Sequence, residues 1–243
     1  MDKAIILNAG EGKRLRPLTE LVPKCLLKLD GITILEHQLA NLADCGIREV
    51  VIVIGYRADQ IFWKVKDERF GLNIKFIQNP IFAETNTVYS LWLARNEIKR
   101  DFLYFNGDVI FHKHVLKRLI NAEYDTCIAI DNRKVGEEEV KVQLISNKVK
   151  VIGKKIDPSK AQGEFIGIAK FSQKFNYVFV EKLDEVVKEG AINALFEVAL
   201  DRALKYYDVH AVDVSDLPCM EIDSHEDFKV ARKIYSKIIK ETR

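Results

Sequence analysis

Over the first 105 residues, four short apolar runs alternate with amphipathic stretches. No other feature of this chain constrains its fold as strongly. Lys3–Asn8 and Glu49–Ile54 are almost continuously apolar, the pattern of strands covered on both faces. Asn73–Gln78 alternates as a strand, and residues 102–105 supply the fourth run. Residues 33–44 read as a helix, because Ile34, Leu35, Leu39 and Leu42 fall on one face. Thr33 and Glu36 form a capping box at its start, and Gly46 ends it. Residues 57–66 and 86–97 read as two further helices. This βαβ succession predicts a doubly wound parallel sheet with right-handed crossovers.

The second half changes character. Residues 126–131, 140–145, 148–152 and 165–171 are closely spaced strands, with turn-like Asn147 and Asp157-Pro158 between them. They predict an antiparallel extension of the sheet. Helices return at 173–188 and 192–206, and residues 208–214 form a late strand. Ser224 caps a last amphipathic helix with Phe228, Ala231, Tyr235 and Ile238 inward. The expectation is α/β, a Rossmann-like doubly wound mixed sheet with a small antiparallel extension, as one domain over residues 1–243.

Composition excludes several classes of function. The chain has 243 residues and 48% hydrophobic residues, enough for a sizeable core. It carries 38 Lys+Arg against 36 Asp+Glu, so no charge footprint for nucleic acid or an anionic membrane exists. No apolar run approaches the roughly 18 residues that span a bilayer. The first eight residues lack the features of a signal peptide. A soluble, cytoplasmic protein is expected, with a homodimer allowed. Cys25, Cys45, Cys127 and Cys219 are scattered, which predicts buried free thiols rather than disulfides or a zinc site.

In an open parallel sheet, ligands bind beyond the carboxyl ends of the strands. The first strand runs into Leu7-Asn8-Ala9-Gly10-Glu11-Gly12-Lys13-Arg14-Leu15-Arg16-Pro17-Leu18-Thr19. Two glycines let the backbone approach a ligand, and Lys13, Arg14 and Arg16 add positive charge suited to a triphosphate. Familiar phosphate loops do not fit. A P-loop would need glycine at Leu7 and Ser or Thr at Arg14. The dinucleotide fingerprint would need glycine at Leu15, which disfavours a nicotinamide-dependent oxidoreductase. Two acidic groups complete the picture: Asp108, at a strand exit in Asn106-Gly107-Asp108, and Glu221-Ile222-Asp223 before the last helix. A carboxylate at a strand's carboxyl end suits a hard cation shared with phosphate oxygens.

Pro23-Lys24-Cys25-Leu26-Leu27 follows in the same loop. The whole run, L-x-A-G-x-G-x-R-L-x-P-L-T-x-x-x-P-K-x-L-L, resembles the signature of the sugar-nucleotidyltransferase superfamily. The resemblance implies a GT-A-like fold that joins a nucleoside triphosphate to a phosphomonoester and releases pyrophosphate. It implies Arg14 on the β/γ-phosphates and Lys24 on the α- or acceptor phosphate. Leu7, Ala9, Gly10, Glu11, Gly12 and Lys13 would line the nucleotide, together with Asn79, Asn86 and Thr87. Asp108 and Asp223, supported by Glu221, would hold Mg²⁺. Asn8 departs from the usual alanine beside the expected base pocket. The acceptor phosphate is already ionised at pH 7, so no general base is needed. His37, His112, His114, His210 and His225 are accordingly read as structural or surface residues.

Two stretches narrow the group. Asn86-Thr-Val-Tyr89-Ser90-Leu91 is similar to the segment of small CTP-dependent members, the phosphocholine and inositol-1-phosphate cytidylyltransferases. The run from Glu139-Val-Lys141-Val through Gly153-Lys154 to Gly163-Glu164-Phe-Ile-Gly167 resembles the inositol-phosphate and phosphonate types. That likeness implies Lys141 and Lys154 as catalytic cations around the acceptor phosphate. Asp131, Glu164, Gly167 and Glu197 would bind the rest of the acceptor. Leu195-Phe196-Glu197 stands where phosphocholine enzymes carry Tyr-Trp-Asp, which favours a polyol phosphate over choline, whose quaternary ammonium needs an aromatic cage. The substrates implied are CTP and myo-inositol 1-phosphate. Competing acceptors are phosphocholine, an aminoethylphosphonate or a sugar 1-phosphate. A competing role is a non-catalytic nucleotide-sensing subunit of the same fold.

Overall fold

The structure is a computed structural model that describes residues 1–66, 70–133 and 135–242. Strand β1 is Lys3–Asn8. A hairpin of β2 (Lys28–Leu29) and β3 (Ile32–Thr33) leads into helix α1 (Ile34–Asp44). Then follow β4 (Glu49–Ile54), α2 (Ala58–Val65), β5 (Asn73–Gln78), α3 (Thr87–Leu93), β6 (Phe102–Asn106), β7 (Val109–Phe111) and α4 (Lys113–Asn121). The second half contains β8 (Cys127–Asp131), β9 (Lys141–Ile145), β10 (Lys148–Gly153), β11 (Gly163–Phe171), α5 (Gln173–Lys188), α6 (Glu197–Ala203), β12 (His210–Asp213), β13 (Cys219–Glu221) and α7 (His225–Thr242).

The main sheet has nine strands in the order β5-β4-β1-β6-β11-β8-β12-β10-β9. Strands β5, β4, β1 and β6 are parallel. Strand β11 then runs antiparallel to β6 and β8, so the sheet is mixed, as the sequence predicts. Strand β9 pairs with β11 as well as with β10, and the last five strands close on themselves. The antiparallel extension is therefore part of the main sheet.

Both faces of the sheet are covered. Ile5 and Leu7 of β1 pack toward α3, α5 and α6, while Ala4 and Ile6 pack toward α1, α2 and α4. A strand alternates its side chains, so both sets must be apolar when helices cover both sides. Thr33 caps α1 as expected: its hydroxyl accepts from the Glu36 amide, and Glu36 accepts from the Thr33 amide. Ser224 and Asp227 cap α7 in the same reciprocal way. Helix α7 buries Ala231 and Tyr235 against Leu15, Leu27 and Ile222. That packing ties the loop after β1 to the segment carrying Asp223.

Helix α4 and the β7–β13 ribbon go beyond the sequence expectation. The ribbon pairs Val109 with Glu221 and so brings residues near 108 beside residues near 222. No helix among the described residues is long and apolar enough to cross a membrane. All four cysteines are free thiols.

Candidate active site

The carboxyl ends of β1 and β6 open into a cleft of about 600 Å³. One wall is the loop after β1. Gly12 adopts the left-handed conformation with φ 63°, and a Cβ there would lie 3.1 Å from Thr19 Cγ2 and 3.2 Å from Lys24 Cβ. Only glycine meets both demands without strain. The Thr19 hydroxyl closes the loop by donating to Gly12 O at 2.8 Å. Glu11 pairs with Lys13 at 2.6 Å and with Arg16 at 3.3 Å, so those two cations are already engaged.

Beside this loop, β6 delivers Asp108. A Cβ on Gly107 would fall 1.7 Å from Asn8 Oδ1 and 2.4 Å from Leu7 O, so glycine lets the ends of β1 and β6 lie side by side. Lys24 Nζ donates to Asp108 Oδ2 at 2.6 Å and to Asp223 Oδ1 at 2.8 Å. Arg14 adds a second cation, 2.8 Å from Asp223 Oδ1. Burial alone would lower the pKa of Lys24, but Asp108 and Asp223 outweigh it and the net shift is upward. Burial likewise works against the Asp223 carboxylate, and Lys24 and Arg14 reverse it, leaving the pKa depressed. Glu221 stands behind this group. It accepts from Asn106 Nδ2, whose Oδ1 accepts from Tyr104 at 2.6 Å. Burial, then Asp108, pushes the Glu221 carboxyl well above its ordinary range.

The far end of the cleft carries Val140, Lys154, Asn193, Leu195 and Glu197. Glu197 is 4% exposed, and burial raises its pKa to about 7, with Lys154 offsetting only part of the shift. The segment before α6 is fixed to the start of α3: Asn86 N donates to Ile192 O, Val88 N to Ala194 O, and Phe196 N to Thr87 Oγ1. Asn193 carried no sequence signal, because its place depends on this long-range pairing. Among the described residues, three buried atoms in the cleft have no hydrogen-bond partner: Asn8 Nδ2, Asp108 Oδ1 and Glu197 Oε2. Buried polar groups are ordinarily satisfied, so three orphans in one cleft mark a surface completed by a ligand.

Of the expected site residues, Leu7, Ala9, Gly10, Glu11, Gly12, Lys13, Arg14, Lys24, Asn86, Thr87, Asp108, Lys154, Glu197, Glu221 and Asp223 all line this cleft. The others stand elsewhere. Asn79 is buried beneath, donating to Thr85 and Ser90 and so bracing the wall. Asp131 is gripped by Arg133. Glu164 pairs in register with Asp131 on the far face of β11, where burial and then Glu139 raise its pKa to about 7. Gly167 faces Glu221 and Asn106, which lie 2.5 Å and 2.7 Å from where its Cβ would be, so it admits these side chains rather than an acceptor. Lys141 is fully buried and bonded to backbone carbonyls. Strand alternation and tertiary pairing, invisible in a motif, set Asp131, Glu164 and Lys141 apart from the cleft lining, and Gly167 lies behind Asn106 and Glu221.

A divalent cation fits this centre. Among the described residues no three His, Cys, Asp or Glu side chains form a metal cage. Yet Asp108 and Asp223 share one ammonium, and Asp108 keeps a buried oxygen without a partner. Magnesium is commonly held by one or two carboxylates together with substrate phosphates, and this donor set matches that habit.

The model of the Nucleotidyl transferase family matches residues 3–151. The chain belongs to that family. Among its nucleotidyltransferase relatives, the bifunctional IPC transferase and DIPP synthase of Aquifex aeolicus is 29% identical over 238 residues, covering 98% of this chain. The chain spans only 52% of that protein's length. The choline-phosphate cytidylyltransferase of Streptococcus pneumoniae is 27% identical over 237 residues, 96% of this chain and 97% of that one. The solved structure of the inositol-1-phosphate CTP transferase from T. maritima matches with a TM-score of 0.80 at 26% identity, covering 98% of this chain and 96% of that one.

The raised pKa of Glu197 has a consequence for this nucleotidyltransferase. Folded Glu197 holds its proton to about 7, against an ordinary value of 4.5. Between those values the native state binds more protons than the unfolded state, so stability falls as pH rises through that window. Glu197→Gln removes the ionisation while keeping the shape. Its melting temperature should exceed that of the parent at pH 8 and equal it at pH 5. A variant less stable at both pH values would show that the carboxyl is a structural hydrogen-bonding group.

Proposed function

We propose that this nucleotidyltransferase joins CTP to myo-inositol 1-phosphate, giving CDP-inositol and pyrophosphate, with Mg²⁺ as cofactor. The observation that carries the reading is the cleft's division of charge. Arg14, Lys24, Asp108 and Asp223 gather at one end, and Glu197, whose buried Oε2 has no partner among the described residues, lies with Lys154 at the other.

An oxygen of the acceptor phosphate attacks the α-phosphorus of CTP. The new P–O bond forms as the bond to the β-phosphate oxygen breaks, and pyrophosphate leaves. Nothing in this step demands a protein base, since the nucleophile is an ionised phosphate. Catalysis reduces to positioning and to stabilising negative charge. Asp108 and Asp223 would hold Mg²⁺, which would supply neutralisation of phosphate charge. Lys24 and Arg14 are cations already resting on Asp108 and Asp223, within reach of phosphates arriving there. The backbone of residues 9–12 approaches the nucleotide without side-chain obstruction at Gly10 and Gly12. Glu197 accepts hydrogen bonds from acceptor hydroxyls, and Lys154 contributes a cation beside the acceptor phosphate.

The likeness to the choline-phosphate cytidylyltransferase of S. pneumoniae and to the inositol-1-phosphate CTP transferase of T. maritima supports a cytidylyl donor and an alcohol phosphate acceptor. One observation favours a second reading. The buried Glu197 Oε2, without a partner among the described residues, also suits an acceptor with an ammonium group, such as phosphocholine. Its neighbours in the cleft wall, Leu195 and Asn193, supply no aromatic face for a quaternary ammonium. Offered with CTP and Mg²⁺, inositol 1-phosphate should therefore turn over faster than phosphocholine. The reverse order would transfer the reading to phosphocholine.

A further inference from the structure

We infer that Lys141 is a positioning residue, whose buried ammonium anchors the 136–140 segment and so sets the wall against which the acceptor lies. The inference rests on the acceptor occupying the Val140–Lys154–Glu197 end of the cleft.

Lys141 opens β9 at the point where the last five strands close. It pairs with Gly153 of β10 on one side and with Glu164 of β11 on the other. Its side chain is 0% exposed. Nζ donates to Glu137 O at 2.7 Å, to Glu139 O at 3.2 Å and to Gly136 O at 3.3 Å. An ammonium has three protons to donate, and here three carbonyls of one short segment receive them. An unsolvated ammonium is costly, and bonds to a charged donor are stronger than neutral ones. The segment is thereby held down on the cation. Lys141 has no donor left for a phosphate.

The anchored segment connects directly to the cleft. Val140 precedes Lys141, lines the cleft, and accepts from Phe165 N through its carbonyl at 2.8 Å. Lys141 pairs in register with Glu164, so the two share a face of the sheet, while Val140 lines the cleft. Lys154, another lining residue, directly follows Gly153, the β10 partner of Lys141. The ammonium ties down the segment that carries Val140, and the backbone pairing of Lys141 with Gly153 sets Lys154 beside it. Glu164 and Asp131 share the rear face with Lys141, and Arg133 engages Asp131 there. Among the described residues, the nucleotide end, built on the loops after β1 and β6 and the segment before α7, shares none of these bonds.

The test uses Lys141→Met and Val140→Ala in the full chain. For Lys141→Met, the acceptor KM should rise about tenfold or more, less than a 1 Å misplacement of substrate can cost. The KM for CTP should stay within about twofold. In the ligand-free variant, amide hydrogen exchange across residues 136–140 should accelerate about tenfold or more, as expected when a local anchor is lost. Lys141→Arg should not restore the acceptor KM, because a planar guanidinium cannot reproduce the three-carbonyl geometry. A fall in kcat with both KM values unchanged would overturn the inference, pointing to charge at the reacting phosphate. Equal rises in both KM values, or unchanged exchange, would also overturn it. If Lys141→Met fails to fold, Val140→Ala reads the same wall, and an unchanged acceptor KM in that variant refutes it. Failure of the underlying activity would appear separately, as absent turnover of CTP by the parent enzyme, and the exchange measurement would still decide the anchor.

Discussion

Asp108→Asn should abolish turnover at every Mg²⁺ concentration while leaving the fold intact. Asparagine has nearly the same shape, so the turn at Gly107 and the approach to Asn8 survive. What disappears is one of the two carboxylates that share Lys24, together with the buried unpartnered oxygen. The loss should be about 10³-fold or more, at or beyond the upper end for removing one preorganised charge stabiliser. Stability should change little, because Lys24 keeps its bond to Asp223. Circular dichroism and a melting curve check the fold, and pyrophosphate release checks the rate. A near-normal rate would remove Asp108 from the catalytic centre.

The second large effect is that of Lys24→Ala. Loss of its ammonium should lower kcat/KM by about 10²-fold or more. It should also move stability in a way that a merely packed lysine would not. Its side chain is 14% exposed and lies between two carboxylates. Without it, Asp108, Asp223 and Glu221 face one another with Arg14 as the nearest cation on Asp223. The variant should melt lower in metal-free buffer, and Mg²⁺ should raise its melting temperature more than that of the parent. Binding to the native state alone stabilises by mass action, and a centre short of one positive charge binds a cation more tightly. Equal Mg²⁺ effects on both proteins, with a rate loss below about tenfold, would make Lys24 structural.

The fold was largely legible because its strongest signals are local. The apolar runs at β1 and β4 need burial on both faces, and the Thr33–Glu36 box fixes the start of α1 without help from distant residues. Helix α4 lay unread between two clear strands. The β7–β13 ribbon was unread because three-residue strands form only once paired. That ribbon places Asp108 near Asp223, so the central juxtaposition of the site is a tertiary fact.

Site residues divide along the same line. Asp108 follows β6 directly, and Arg14 and Lys24 lie in the loop that leaves β1, whose signature run could be read as one piece. Lys141, Asp131 and Glu164 sit within strands, where a one-residue change of register exchanges the faces. A motif gives their order but not the face they occupy. The closure of β9 onto β11 decides that, and it depends on pairings across more than twenty residues. Gly167 shows the same limit: it opens space for Glu221, more than fifty residues later.

Transfer of a cytidylyl group onto a phosphomonoester by this nucleotidyltransferase is tested most directly by Mg²⁺-dependent pyrophosphate release from CTP with inositol 1-phosphate, with the organic product identified by mass. Pyrophosphate and CDP-inositol should appear in stoichiometric amounts, dependent on both substrates. Turnover of UTP or dTTP in preference to CTP would contradict the donor assignment. Tight CTP binding without pyrophosphate release for any phosphomonoester would contradict the transfer itself and mark the chain as a nucleotide-binding subunit.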